Sequence, residues 1–179
     1  MKLELRYYND PILRKKAEPI EEITDKIREL AAAMLEAVVE NRGIGLAAPQ
    51  VGHSIRMLVL NLNDENSDDP EAMAPGHPMV LINPELSEPS EESWGAMEGC
   101  LSIPGPHGEV ERPVKIHCKA LDIDGNVVDR DFVGWEARVL MHENDHLNGV
   151  LYIDRMERKA RKKLEPSLKK IDSRYNSRK

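Results

Sequence analysis

Aromatic residues are scarce in this sequence, one Phe, two Trp and four Tyr among 179 residues. Leu, Ile, Val, Ala and Met must therefore fill its core. Two cysteines, Cys100 and Cys118, are too few for a disulfide framework and point to a reducing compartment. No apolar run approaches the ~18–20 residues that span a bilayer, so no membrane association is expected. The opening Met1-Lys2-Leu3-Glu4-Leu5-Arg6 interrupts its apolar positions with charge. That pattern argues against a secretory signal, and Glu4 argues against a transit peptide. A cytoplasmic protein is the expectation.

The chain is 40% hydrophobic and 32% charged, enough to bury a core behind a solvated surface, and its length suits a single catalytic domain over residues 1–179. The net charge of −7 hides an asymmetry: the tail from about 155 to 179 carries +8 and the preceding body −15. Specific DNA binding is not expected. Any ribosome or RNA contact would run through the tail, which reads equally as the solvated face of an amphipathic helix.

Ile23, Ile27, Leu30, Met34 and Val38 recur at helical spacing, predicting a helix over roughly 21–42 with Gly43 at its C-terminal cap. Met57–Leu60 and Met79–Ile82 read as short buried strands, separated by a polar, acidic surface loop from Asn63 to Pro78. Residues 110–123 alternate, with Val114, Ile116, Cys118 and Ala120 on one face and Lys115, His117 and Lys119 on the other. Asp124-Gly125-Asn126 marks a turn, and Val127–Val133 returns as the second arm of a hairpin. Gly134–Asn148 reads as a helix ended by Gly149; a last helix begins near Asp154, with a break or kink expected at Pro166. Terminal helices and local strand pairing predict an α+β fold, a mainly antiparallel sheet packed around a central helix.

That central helix contains His142-Glu143-Asn144-Asp145-His146. Residues four apart share a helical face, so two imidazoles can point at one metal. Glu143 then stands beside the first ligand, placed to take a proton from a metal-held water. A third protein ligand is needed, with one position left open. The metzincin pattern would place it at position 152, which is Tyr152. Glu165, 19 residues past His146, has a gluzincin-like spacing but sits beside Pro166 in the basic tail. The better candidate is Cys100, within Glu98-Gly99-Cys100-Leu101-Ser102-Ile103-Pro104-Gly105, because its glycine neighbour gives it an irregular, accessible setting and a thiolate beside a divalent metal stays deprotonated. Cys118, on the apolar face of a strand, reads as core packing. A Cys100 nucleophile with a histidine base is the rival, and it leaves the His-Glu-x-x-His spacing unexplained.

A third segment, Gly43-Ile44-Gly45-Leu46-Ala47-Ala48-Pro49-Gln50-Val51-Gly52, fails as a phosphate loop because it follows a helix and Ala48 takes the place of the last glycine. It is either a tight turn or a surface that lets a substrate backbone approach closely, with Gln50 offering an amide donor.

These three segments, in this order, resemble the peptide deformylases. Asp10-Pro11-Ile12-Leu13-Arg14, Ile82-Asn83-Pro84 and Glu109-Val110-Glu111-Arg112-Pro113 extend the likeness over roughly residues 5–155. The resemblance implies removal of the formyl group from the N-terminal methionine of nascent chains, in the cytoplasm of a bacterium or in an organelle. It implies one divalent ion per chain, natively Fe(II), with Zn, Ni or Co able to substitute, held by Cys100, His142 and His146. Glu143 would act as general base and acid, Gln50 and the backbone N–H of Leu101 would stabilise the oxyanion, and Ile44, Gly45, Gly99 and Val139 would line the substrate site. Met141 stands where many members carry Gln, and Gly105-Pro106-His107 lacks an Arg that some members place at the substrate mouth. Three other readings compete with it: a zinc endopeptidase using Glu165, a non-catalytic metal or redox sensor, and a binding module acting through the tail.

Overall fold

The computed structural model describes residues 2–62 and 77–176. Among these residues three α-helices, α1 (Asp25–Glu40), α2 (Gly134–Leu147) and α3 (Arg158–Tyr175), accompany seven strands. The strands are β1 (Gly45–Ala47), β2 (Met57–Leu62), β3 (His77–Ser87), β4 (Ser93–Cys100), β5 (Ile103–Pro113), β6 (Lys115–Leu121) and β7 (Val127–Val133). The fold is α+β as expected. A five-stranded sheet has the order β1-β2-β3-β6-β7, a two-stranded one pairs β4 with β5, and these pairings are all antiparallel.

The larger sheet is covered on both faces, which explains the continuous apolar run at Met57–Leu60. Leu58 and Leu60 face α2 and pack with Leu81, Cys118, Phe132, Leu140 and Leu147. Met57 and Val59 face α1 and pack with Leu30, Met34, Val38 and Ile82. A third apolar cluster joins Ile103 and Val110 of β5 to Tyr152, Ile153, Leu168 and Ile171, docking α3 on the smaller sheet.

The sequence expectations hold for most elements, and four differ. First, the segment 110–123 is not one strand: β5 ends at Pro113 in the small sheet, and β6 begins at Lys115 in the large one. Proline cannot donate to a ladder, so Pro113 is a natural exit point. Second, α1 begins after its cap Thr24, and the left-handed residue at its end is Arg42 rather than Gly43. Gly43 instead donates its N–H to Val38 O at 2.8 Å, and Arg42 to Val39 O at 3.1 Å, the two bonds of a Schellman motif. Third, Pro166 does not break α3. It removes one intrahelical donor at an exposed position, while Leu164, Leu168 and Ile171 anchor the helix on both sides of it. Fourth, most of the expected acidic loop, 63–76, lies outside the described residues, and His77 and Pro78 already belong to β3.

Gly149 ends α2 as expected, at φ +72°. A Cβ there would meet Arg14 O at 2.5 Å, so glycine is required for space as well as conformation. Among the described residues no helix is long and apolar enough to cross a membrane.

Candidate metal centre

β4 passes beside α2 with alternate side chains, Trp94, Glu98 and Cys100 among them, turned toward it. Two strand residues advance about 6.6 Å and four helical residues about 6 Å. Glu98 and Cys100 therefore stay in step with His142 and His146. Glu98 Oε1 lies 2.8 Å from His142 Nδ1, and Cys100 Sγ lies 3.3 Å from His146 Nε2. One ligand atom each from Cys100, His142 and His146 falls within 4.8 Å of the others, the only such metal-capable group found among the described residues. Glu165 lies on α3 outside it. Tyr152, at the position a metzincin gives to histidine, stacks near the His142 ring at 6.1 Å between centroids.

The donor set fits a divalent ion. A thiolate and two imidazoles suit zinc and other borderline divalent metals, and three protein ligands leave a position for water or substrate. The Glu98 bond occupies Nδ1 of His142 and leaves Nε2 for the centre. At His146 burial pushes the imidazole well below the ordinary range, toward the neutral, ligating form.

Glu98 is the hub of a buried charge network. It accepts from Arg112 at 2.7 and 2.9 Å and from Arg138 at 2.6 Å. Arg112 also reaches Asp145 at 3.0 Å, which Arg155 holds at 2.6 and 2.7 Å. Burial raises the Glu98 carboxyl, but hydrogen bonds from His142 and Arg112 outweigh it and hold it at about 2. Motif spacing assigns no role to Glu98, Arg112, Arg138, Asp145 or Arg155. Glu98 and Arg112 lie within segments that carried the family likeness, but nothing in their spacing marked them as paired.

Glu143 is buried, and its Oε2 has no hydrogen-bond partner among the described residues. Burial pushes its carboxyl up to about 7. Gly45 packs directly against it: a Cβ at that position would lie 2.8 Å from Glu143 Oε1 and 3.0 Å from Val139 Cγ1. Gln50 sits in a 3₁₀ turn after β1, where its Oε1 accepts from Ala47 N at 2.8 Å. That fixes the amide so that Nε2 faces Ser102 Oγ at 3.2 Å and Cys100 Sγ at 3.5 Å.

A cleft of about 480 Å³ opens over the centre. Ile44, Gly45, Gln50, Gly99, Cys100, Leu101, Val139, His142 and Glu143 all line it, while His146 lies beneath, 1% exposed. Exposed Ile44, Met97 and Trp135 add an apolar rim. The two departures from the family pattern have visible consequences. Met141 turns into the apolar cluster under the sheet. The His107 ring covers Gly99 so closely that a Cβ there would lie 2.6 Å from its Nε2.

The polypeptide deformylase family profile matches residues 2–162. A peptide deformylase of Rhizorhabdus wittichii is 44% identical over 170 residues, covering 95% of this chain and 93% of the relative. One from Chlorobium phaeobacteroides is 46% identical over 169 residues, covering 94% and 86%. Among solved structures, Arabidopsis thaliana peptide deformylase 1B superposes with a TM-score of 0.87 at 34% identity, covering 98% of this chain and 93% of that one. The Plasmodium falciparum enzyme gives 0.86 at 36% identity, covering 97% and 98%. Sequence, fold and the geometry of the centre thus agree, and this chain belongs to the polypeptide deformylase family.

Proposed function

We propose that this chain is a metal-dependent peptide deformylase, a single catalytic domain that removes the formyl group from the N-terminal methionine of newly made polypeptides. The observation that carries the reading is the meeting of Cys100 and His142, with His146 just beneath them, beside the buried Glu143 at the base of one cleft. Cys100, His142 and His146 hold the ion, natively Fe(II), with Zn, Ni or Co able to replace it. When bound, it supplies Lewis acidity and makes a nucleophilic water available near neutral pH.

The chain's own groups do the rest. Glu143 takes the proton of the attacking water, a C–O bond forms at the formyl carbon, and Glu143 returns the proton to the amine as the C–N bond breaks, giving formate and a free N-terminus. Gln50 Nε2 and the Leu101 N–H donate to the oxygen as it gains charge. Such preorganised donors are each worth on the order of 10²–10³ in rate. Ile44, Gly45, Gly99 and Val139 position the peptide, and the apolar rim suits a methionine side chain.

The basic face of α3, with Arg158, Lys159, Lys162, Lys163, Lys169 and Lys170 exposed, supports a ribosome contact in the cytoplasm of a bacterium. Anaerobic purification with metal analysis, then assay on formyl-Met-Ala-Ser before and after chelation, tests the reading. One bound ion and chelation-sensitive formate release are expected; a metal-loaded protein without turnover rejects it.

A further inference from the structure

Arg42 ends α1 with φ +53°, a conformation that glycine or asparagine adopts at lower cost. Its side chain is exposed and lines the same cleft as the catalytic groups. The other charged groups of that wall are committed or enclosed. Arg138 is spent on Glu98, Val110 O and Trp94 O. Glu98 is neutralised by Arg112 and Arg138 and hydrogen-bonded to His142, and Glu143 is buried. Among the described residues the Arg42 guanidinium has neither a hydrogen-bond nor an ion-pair partner. It stands as an uncommitted cation beside the path of a peptide.

Its place along that path follows from the chain. Gly45 abuts Glu143, and a Cβ at Gly43 would lie 3.0 Å from Leu101 Cδ1. From Gly45 back to Arg42 the backbone therefore tracks the cleft wall away from the catalytic carboxylate. An extended peptide advances about 3.3 Å per residue. Three residues of separation, plus the reach of an arginine, set the guanidinium opposite the second to fourth residue of a bound chain.

We propose that Arg42 is a specificity-determining residue that favours formyl-peptides carrying a carboxylate side chain shortly after methionine and disfavours those carrying a cation there. The proposal rests on the deformylase reading. A cation at the end of α1 also complements the helix dipole, but that role alone predicts a change in stability and none in substrate choice.

The test compares C-terminally amidated formyl-Met-Ala-Asp-Ala and formyl-Met-Ala-Lys-Ala on the metal-loaded enzyme. A roughly two- to fivefold advantage in kcat/KM is expected for the acidic peptide, the size of an exposed ion pair. It should reside in KM and shrink at 0.5 M salt (roughly) as screening sets in. R42E should reverse the ratio, R42G should bring it to about one while relieving the backbone, and R42K should keep it. An unchanged ratio in R42E overturns the proposal, as does a shift in thermal midpoint alone. A preference seen only with free-acid peptides would assign the cation to a chain terminus and also overturn it. If no peptide is turned over, the deformylase reading fails by itself. Binding of Met-Ala-Asp-Ala amide against Met-Ala-Lys-Ala amide, followed by tryptophan fluorescence with Trp135 in the cleft wall, then decides the charge preference, and equal affinities reject it.

Discussion

Glu98 Oε1 stands 2.8 Å from His142 Nδ1, and the same carboxylate is clamped by two buried arginines. The strand that delivers Cys100 thus also orients the histidine opposite it. Ligand and ligand-orienting group lie two residues apart, on one face of β4.

Removing that carboxylate should act on both metal and fold. E98Q keeps the shape but loses the charge, and metal should be surrendered to a chelator roughly 10–100-fold more readily, read by metal content against chelator concentration. E98A leaves Arg138 buried without a counter-ion and Arg112 with Asp145 alone, and should cost about 3–5 kcal/mol in urea unfolding. Wild-type behaviour in both would remove Glu98 from the centre's support.

E143A should keep its metal and lose about 10²–10⁴ in kcat, the usual worth of a positioned proton-transfer group. Metal analysis and formate release on one preparation check this. Near-normal turnover in a loaded variant would reject the assignment.

C100S exchanges a thiolate for a hydroxyl, a poorer ligand for zinc and iron. Metal retention after gel filtration should fall, and activity with it. Survival of both would make another residue the third ligand.

G45A adds a Cβ that meets Glu143 Oε1 at 2.8 Å and Val139 at 3.0 Å. Since a displacement near 1 Å can cost about 10² in rate, kcat should drop by up to that factor while metal content stays whole. Steady-state kinetics beside metal analysis would show it, and an unchanged kcat would mean that the carboxylate tolerates the shift.

Away from the cleft, His117 on β6 bonds Asp131 at 2.8 Å and Asp129 at 2.7 Å on β7. Hydrogen bonds to Asp131 and Asp129 raise its pKa, and the bond to His117, then that to Lys115, lowers that of Asp131. The histidine contribution is whole below about pH 6.5 and is lost as pH climbs through the raised folded value. The Asp131 contribution is whole above about pH 4 and is lost as pH falls through the lowered one. The thermal-midpoint advantage of wild type over H117Q should therefore peak near pH 5–6 and vanish by about pH 9. A difference that is flat with pH would show that the imidazolium is not involved.

Much of the fold was legible because one-dimensional periodicity survives folding. Helical spacing marked α1 and α2, alternation marked Ile116, Cys118 and Ala120, and turn chemistry marked the Asp124-Gly125-Asn126 corner. In that corner Asp122 accepts from the backbone of Asp124 at 2.9 Å and of Asn126 at 2.8 Å. The strand reading over 110–123 failed because alternation is blind to which sheet a strand joins. Of the break or kink expected at Pro166, the break does not occur, because Leu168 and Ile171 bury against the small sheet and outweigh one lost hydrogen bond.

The amino-acid order alone determined that two imidazoles share a helical face with a carboxylate beside them, since the helical repeat decides that locally. It also marked the glycine-adjacent cysteine as the candidate to join them. Only the tertiary structure decided that Glu98, Arg112, Arg138 and Asp145 are a buried network and not a solvated surface. A charge is affordable inside a protein only when its partners arrive from other elements, and which residues of β4, β5 and α2 come level is set by packing, not by sequence spacing.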